Sequence, residues 1–294
     1  MSICLKMVWQ AASDEVDRSH LRSPSISLIL LFDYTIAINQ NTMKYTLFLF
    51  SLLLLPALLP AQANGMSAKA IIEKADQKMR GESSKATVTM TIIRPSWQRE
   101  MTMKSWSKGN EYSLIVVTAP ARDKGTAFLK REKELWNWQP TIDRTIKMPP
   151  SMMMQSWMGS DFTNDDLVRE SSIVIDYEHE LIGSEPVDGR DCYKIKLIPK
   201  PDAPVVWGEI LSWIDKEAFM QLKTEFYDED GYLVNTMHGK QVKTLDNRLL
   251  PSVLEMIPAD EEGHKTRLEY VDLDFGVDLG KPFFSIQNMK RLSR

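Results

Sequence analysis

The sequence predicts a mainly β protein: a long antiparallel meander with one amphipathic helix in front of it. Three observations carry this reading. About eleven segments from residue 87 onward are strand-like, many alternating apolar and polar residues with a period of two. Most are separated only by tight-turn residues. No helix-length segment lies between them, which excludes parallel βαβ units. A meander of that length must curl or close to bury its apolar face.

The N-terminus sets the boundaries. The run from Leu47 to Leu59 is the most apolar stretch, preceded by Met43-Lys44 and followed by Pro60-Ala61-Gln62-Ala63. A basic start, a short apolar run and an Ala-x-Ala site read as a secretory signal peptide over residues 43–63. The run is short for a bilayer span, which needs about 20 residues; an uncleaved anchor is the alternative. Signal peptides begin at the initiator methionine, so Met43 is the expected start. Residues 1–42 are then a misassigned extension, and cleavage falls after about Ala63. The expected domain is a single one over 64–294, in the periplasm.

Removal of residues 1–63 takes four basic residues (Lys6, Arg18, Arg22, Lys44) and four acidic ones (Asp14, Glu15, Asp17, Asp33), so the net charge stays at −4. A mildly acidic chain with interspersed charge is poorly suited to nucleic acid. Only Cys192 remains, so no intramolecular disulfide is expected. No cysteine follows the cleavage site, so no lipid anchor is expected there.

The elements follow in order. Ser67 is an N-cap and Gly81 a C′ residue; between them Ile71, Ile72, Ala75 and Met79 share one helix face. Thr87–Ile92 alternates threonine with apolar residues, and Arg99–Trp106 places Met101 and Met103 on one face. Glu111–Thr118 follows. Thr126–Lys130 and Glu134–Trp138 form a hairpin pair, with Trp136 and Trp138 on one face. Arg144–Met148 reads as one more short strand. Residues 149–172 break the pattern and are expected to hold short helices and loops. Strands resume at Tyr177–Val187 and Asp191–Pro199 around Asp188-Gly189, a hairpin signal. They continue through Val205–Asp215, Met220–Tyr227, Leu233–Val242 (after Asp230-Gly231), Leu249–Ile257 and Thr266–Asp274.

Catalytic signatures are absent. The segment 64–294 holds His179, His238 and His264, with no Gly-x-Ser-x-Gly and no base–nucleophile pair in view. There is no His-Glu-x-x-His, no Cys-x-x-Cys, no complete EF-hand loop and no phosphate loop. Asp161, Asp165 and Asp166 form the densest carboxylate group; capping of short helices explains it better than a partial calcium shell. The chain is expected not to be an enzyme and to use no cofactor or metal.

The unusual segment is Met148–Met158, Met-Pro-Pro-Ser-Met-Met-Met-Gln-Ser-Trp-Met. Methionine lines surfaces that accept varied apolar ligands, and it also fills irregular cores. Pro149-Pro150 isolates the segment, so Met152, Met153, Met154 and Trp157 are candidate lid residues. Strand parity makes Val88, Met90, Ile92, Met101, Met103, Trp136 and Trp138 candidates for a ligand-binding inner face.

The stretch Trp157-Met158-Gly159-Ser160-Asp161-Phe162-Thr163-Asn164-Asp165-Asp166-Leu167 resembles the outer-membrane lipoprotein-sorting family, LolA-like branch. A Gly-Ser-Asp-Phe-x-x-x-Asp-Leu pattern recurs there, matched by Gly159, Ser160, Asp161, Phe162, Asp166 and Leu167. The resemblance implies a half-open antiparallel β-barrel of LolA/LolB type, with helices covering its mouth and an apolar cavity for acyl chains. It implies a carrier or chaperone that takes lipoprotein or lipid cargo from an inner-membrane transporter to an outer-membrane acceptor. An envelope sensor or adaptor binding a protein partner is the alternative use of the same fold. In the classical carrier a strand arginine fastens the lid; Arg94 and Arg99 both lie in suitable strands.

Overall fold

The computed structural model describes residues 65–169 and 172–294. The expected signal peptide and the segment upstream of it lie outside the described residues. The described chain falls in one compact unit, Ala63–Arg294.

Helix α1 (Ala68–Arg80) forms where its caps predict. The Ser67 hydroxyl accepts the Ala70 N–H at 3.2 Å, satisfying one of the exposed donors of the first turn. At the other end Gly81 takes φ +66°, and its N–H reaches the Gln77 carbonyl at 2.8 Å. Arg248 finishes the cap. Its guanidinium lies 3.8 Å from the Phe275 ring centroid and donates to the Gln77 and Lys78 carbonyls at 3.1 and 3.0 Å, cancelling charge at the negative end of the helix.

Thirteen strands follow, all in one antiparallel sheet. They are β1 (Ser83–Arg94), β2 (Trp97–Lys108), β3 (Tyr112–Ala119), β4 (Ala127–Arg131), β5 (Glu134–Gln139) and β6 (Arg144–Lys147), then β7 (Tyr177–Val187), β8 (Arg190–Pro199), β9 (Glu209–Asp215), β10 (Gln221–Tyr227), β11 (Leu233–Leu245), β12 (Arg248–Pro258) and β13 (Lys265–Phe275). The count is thirteen where about eleven were expected. Each of the thirteen corresponds to one of the strand segments read above, Arg144–Met148 included, so the expected total was an undercount of those segments and no strand was missed. Asp188-Gly189 turns with both residues at positive φ, the backbone twist a two-residue hairpin requires.

The spatial order is β6-β5-β4-β3-β2-β1-β13-β12-β11-β10-β9-β8-β7. Two meanders, β1–β6 and β7–β13, are joined side by side through β1 and β13. The sheet does not close: β6 and β7 are its free edges. The chain between these edges, residues 148–176, carries the methionine run and the Gly-Ser-Asp-Phe motif.

Alternate residues serve opposite faces. Ile115 and Val117 of β3 join the main cluster with Met90, Ile92, Met101, Phe128, Ile195 and Leu268, so one face of the sheet curls around a single core. Full burial of each such side chain is worth about 1.5–3 kcal/mol. Helix α1 adds Ile71, Ile72 and Ala75 to that core. Tyr112, Leu114 and Val116 point the other way, under Phe284 and Met289. The second helix, α2 (Ile286–Leu292), therefore packs the outer face over β3 and β4 rather than covering the mouth. A third small cluster of Cys192, Trp213, Met220 and Leu222 covers part of the outer face at β8–β10.

Candidate functional site

A cavity of about 320 Å³ lies against the inner face, at the small end of the range for ligand pockets. Its wall includes Val88, Met103, Ile115, Leu254 and Leu268, with Phe162, Asp165, Asp166 and Leu167 on the covering side. The cover is thus the motif itself more than the methionine run before it.

Two arginines fasten the cover to the sheet. Arg94, the last residue of β1, grips Asp161 with Nη2···Oδ1 at 2.9 Å and Nη1···Oδ2 at 3.1 Å. Both side chains are nearly buried, where a bidentate guanidinium–carboxylate pair gains geometric specificity. The Thr266 hydroxyl of β13 donates to Asp161 Oδ2 at 2.6 Å and accepts the Asp161 N–H at 3.0 Å. Arg94 also reaches the Gly159 carbonyl at 3.2 Å. Arg99 of β2 donates to the Met158 carbonyl at 3.2 Å and pairs with Asp123 at 2.8 Å. The sequence left the two arginines equivalent; Arg94 takes the motif carboxylate and Arg99 a backbone carbonyl beside it. Between them the chain bends at Met158 (φ +51°) and Gly159 (φ +82°). A side chain at Gly159 would meet only open space.

Beyond the bend, Thr163 and Asp166 cap one another. The Thr163 N–H donates to Asp166 Oδ2 at 2.8 Å, and the Asp166 N–H to the Thr163 hydroxyl at 3.1 Å, a reciprocal cap on the single π-helical turn Asp165–Arg169. Trp207 Nε1 donates to Asp166 Oδ1 at 3.1 Å, and the Trp207 ring meets Phe226 at 5.1 Å between centroids. Desolvation pushes the Asp166 carboxyl up to about 6, against the N–H donors that pull it down. Asp165 is buried beside it. The three aspartates are thus spread along the cover, where Asp161 anchors and Asp166 caps.

The expected site residues divide. Val88 and Met103 line the cavity; Met90, Ile92 and Met101 are fully buried in the core around it. Met153 and Trp157 are buried in that core, Trp157 against Phe128 at 5.2 Å, with Met152 packed alongside. Met154 is exposed. Trp138 is buried in the outer cluster and Trp136 packs against that cluster; they do not line the cavity. Their shared face was read correctly, but it is the outer one, because Leu135 points into the main core. Sequence reasoning missed Leu254 and Leu268, whose strands read as apolar without showing which parity faces inward. It also missed Ser212, a fully buried cavity residue whose hydroxyl has no hydrogen-bond partner among the described residues.

A family model described as "Uncharacterized protein" matches residues 109–291, more than half of the chain. The chain belongs to that family. A DUF1329 family protein from Desulfovibrio piger superposes with a TM-score of 0.69 at 24% identity, over 76% of this chain and 97% of its own. A LolA superfamily protein from Nitrosomonas europaea gives 0.67 at 26% identity, over 76% and 99%. A domain from Vibrio parahaemolyticus, provisionally assigned to outer membrane lipoprotein sorting, gives 0.65 at 25%, over 76% and 100%. No curated protein matches the chain by sequence. The LolA-like resemblance stands, and the fold is LolA-like.

Proposed function

We propose that this protein is a periplasmic carrier that binds the acyl chains of lipoproteins or other lipids and passes them toward the outer membrane. The observation that carries the reading is a cavity with an apolar middle, under a cover pinned mid-sheet by Arg94 and Asp161. Acyl chains cannot cross water cheaply, since each buried CH₂ is worth about 0.8 kcal/mol. A carrier needs a lined cavity and a cover that can release, and no catalytic residue. Val88 and Met103 are the proposed cargo contacts, with Met90, Ile92 and Met101 behind them. The motif Gly159–Leu167, together with Met152, Met153 and Trp157, is the proposed cover. The lipoprotein-sorting relative supports the cargo class. Among the described residues no helix is long and apolar enough to cross a membrane. An inner-membrane transporter would supply the cargo and an outer-membrane acceptor receive it, after signal cleavage near Ala63.

The test is native mass spectrometry of the protein purified from a periplasmic extract, with lipid extraction of the same sample. A bound acylated species is expected. A protein that is empty, and stays empty after incubation with lipids, would sink the carrier reading. It would favour a sensor or adaptor using the free edge β7, where Leu181 and Ile182 are exposed and an added strand could pair. That second reading predicts a stoichiometric protein partner in a pull-down, indifferent to lipid.

A further inference from the structure

The inner face changes character from one end to the other, and strand register shows how. At the end where Arg94 holds the cover, Met90 of β1 pairs with Met101 of β2. One row further away stand Val88, Met103 and Val117. The next row is Ala86, Ser105, Ile115 and Phe128. The last is Ser84, Ser107, Ser113 and Lys130, four consecutive partners across β1, β2, β3 and β4. Residues in such a row share one face of the sheet. All four line the cavity described above. Ser84 and Ser107 hydroxyls lie 2.8 Å apart.

Helix α1 adds charge at the same end. Asp76 and Arg80 line the cavity there and pair with each other at 2.8 Å, while Lys130 contributes a further cation. A recess bordered by Asp76, Arg80, Glu82, Asn110 and Arg248 adjoins this end. The cover end instead carries Asp165 and Asp166. The cavity is therefore hydroxyl-rich with the Lys130 side chain at one end, apolar in the middle and acidic under the cover.

We propose that the Ser84–Ser107–Ser113–Lys130 row is a head-group site, and that the cavity takes a single-chain amphiphile with an anionic carboxylate or phosphate head. The head lies on the row and the chain runs toward Met90 and Met103. Hydroxyl donors and an ammonium satisfy an anion taken out of water; the carboxylates under the cover disfavour the reverse orientation. This rests on the carrier reading and deepens it.

The test compares three probes of equal chain length on the purified protein by titration calorimetry: palmitate, 1-palmitoyl-lysophosphatidic acid and uncharged monopalmitoylglycerol. At least one anionic probe is expected to bind about tenfold tighter than the neutral one, roughly the worth of one charge-assisted hydrogen bond; which anion wins separates carboxylate from phosphate recognition. Lys130→Met is expected to erase most of that preference, and Lys130→Arg to retain it. All three probes binding the wild-type protein within twofold of one another would overturn the head-group site and leave the carrier reading standing. Binding by none of them would overturn both. The wild-type comparison needs no variant to fold.

Discussion

Arg94 and Asp161, 67 positions apart in sequence, form a bidentate pair that joins the last residue of β1 to the middle of the cover. The pair is nearly buried, and removing one partner of such a pair leaves an uncompensated charge costing about 3–5 kcal/mol. Arg94→Leu is therefore expected to lower stability by that order. It should also raise hydrogen exchange across residues 156–167 ahead of the strands. Exchange in that segment equal to wild type would show that Arg94 does not hold the cover.

Asp166 makes stability depend on pH. Its folded value near 6 lies above the ordinary 3.8, so the folded protein holds the proton more tightly than the unfolded chain between those values. The contribution favours folding below about pH 4 and is lost as pH rises through 6, up to about 3 kcal/mol in all. Asp166→Asn keeps an acceptor for Trp207 and should flatten the slope between pH 4 and 7 in denaturant titrations. An unchanged slope would assign it to other groups.

Ser212 carries a buried hydroxyl with no hydrogen-bond partner among the described residues. Ser212→Ala removes a desolvated polar group at little change in volume, and should raise the stability of the empty protein by about 1 kcal/mol. A loss of similar size would mean that the hydroxyl is satisfied in solution.

Val88 and Trp138 distinguish the two faces. Val88→Phe fills part of the cavity wall and should weaken acyl-ligand uptake by about tenfold or more. Trp138→Phe thins the outer cluster beneath α2 and should lower Tm while leaving uptake within about twofold. Equal effects on uptake would break the assignment of faces.

Much of the architecture was legible in the sequence because its signals are local. Ser67 and Gly81 marked the limits of α1, and Asp188-Gly189 marked a hairpin through its positive-φ turn. Period-two alternation told which residues share a face, as with Trp136 and Trp138, but never which face turns inward. That choice is made by distant partners: Phe284 and Met289 cover β3 from the outside. The selection of Arg94 over Arg99 for the motif carboxylate likewise depends on where β1 ends relative to a segment far along the chain. The serine row needed the register of four strands, none of whose serines is distinctive by itself.

The meeting of β1 and β13 in the middle of the sheet makes the molecule two consecutive ribbons, one before the cover and one after it. Each ribbon is stitched internally by neighbours in sequence, and the sheet joins them through the β1–β13 ladder. A single proteolytic cut within residues 149–160 would therefore sever no strand. It would turn one chain into two complementary fragments whose reassociation is a bimolecular event, with the severed cover contributing a new end to each.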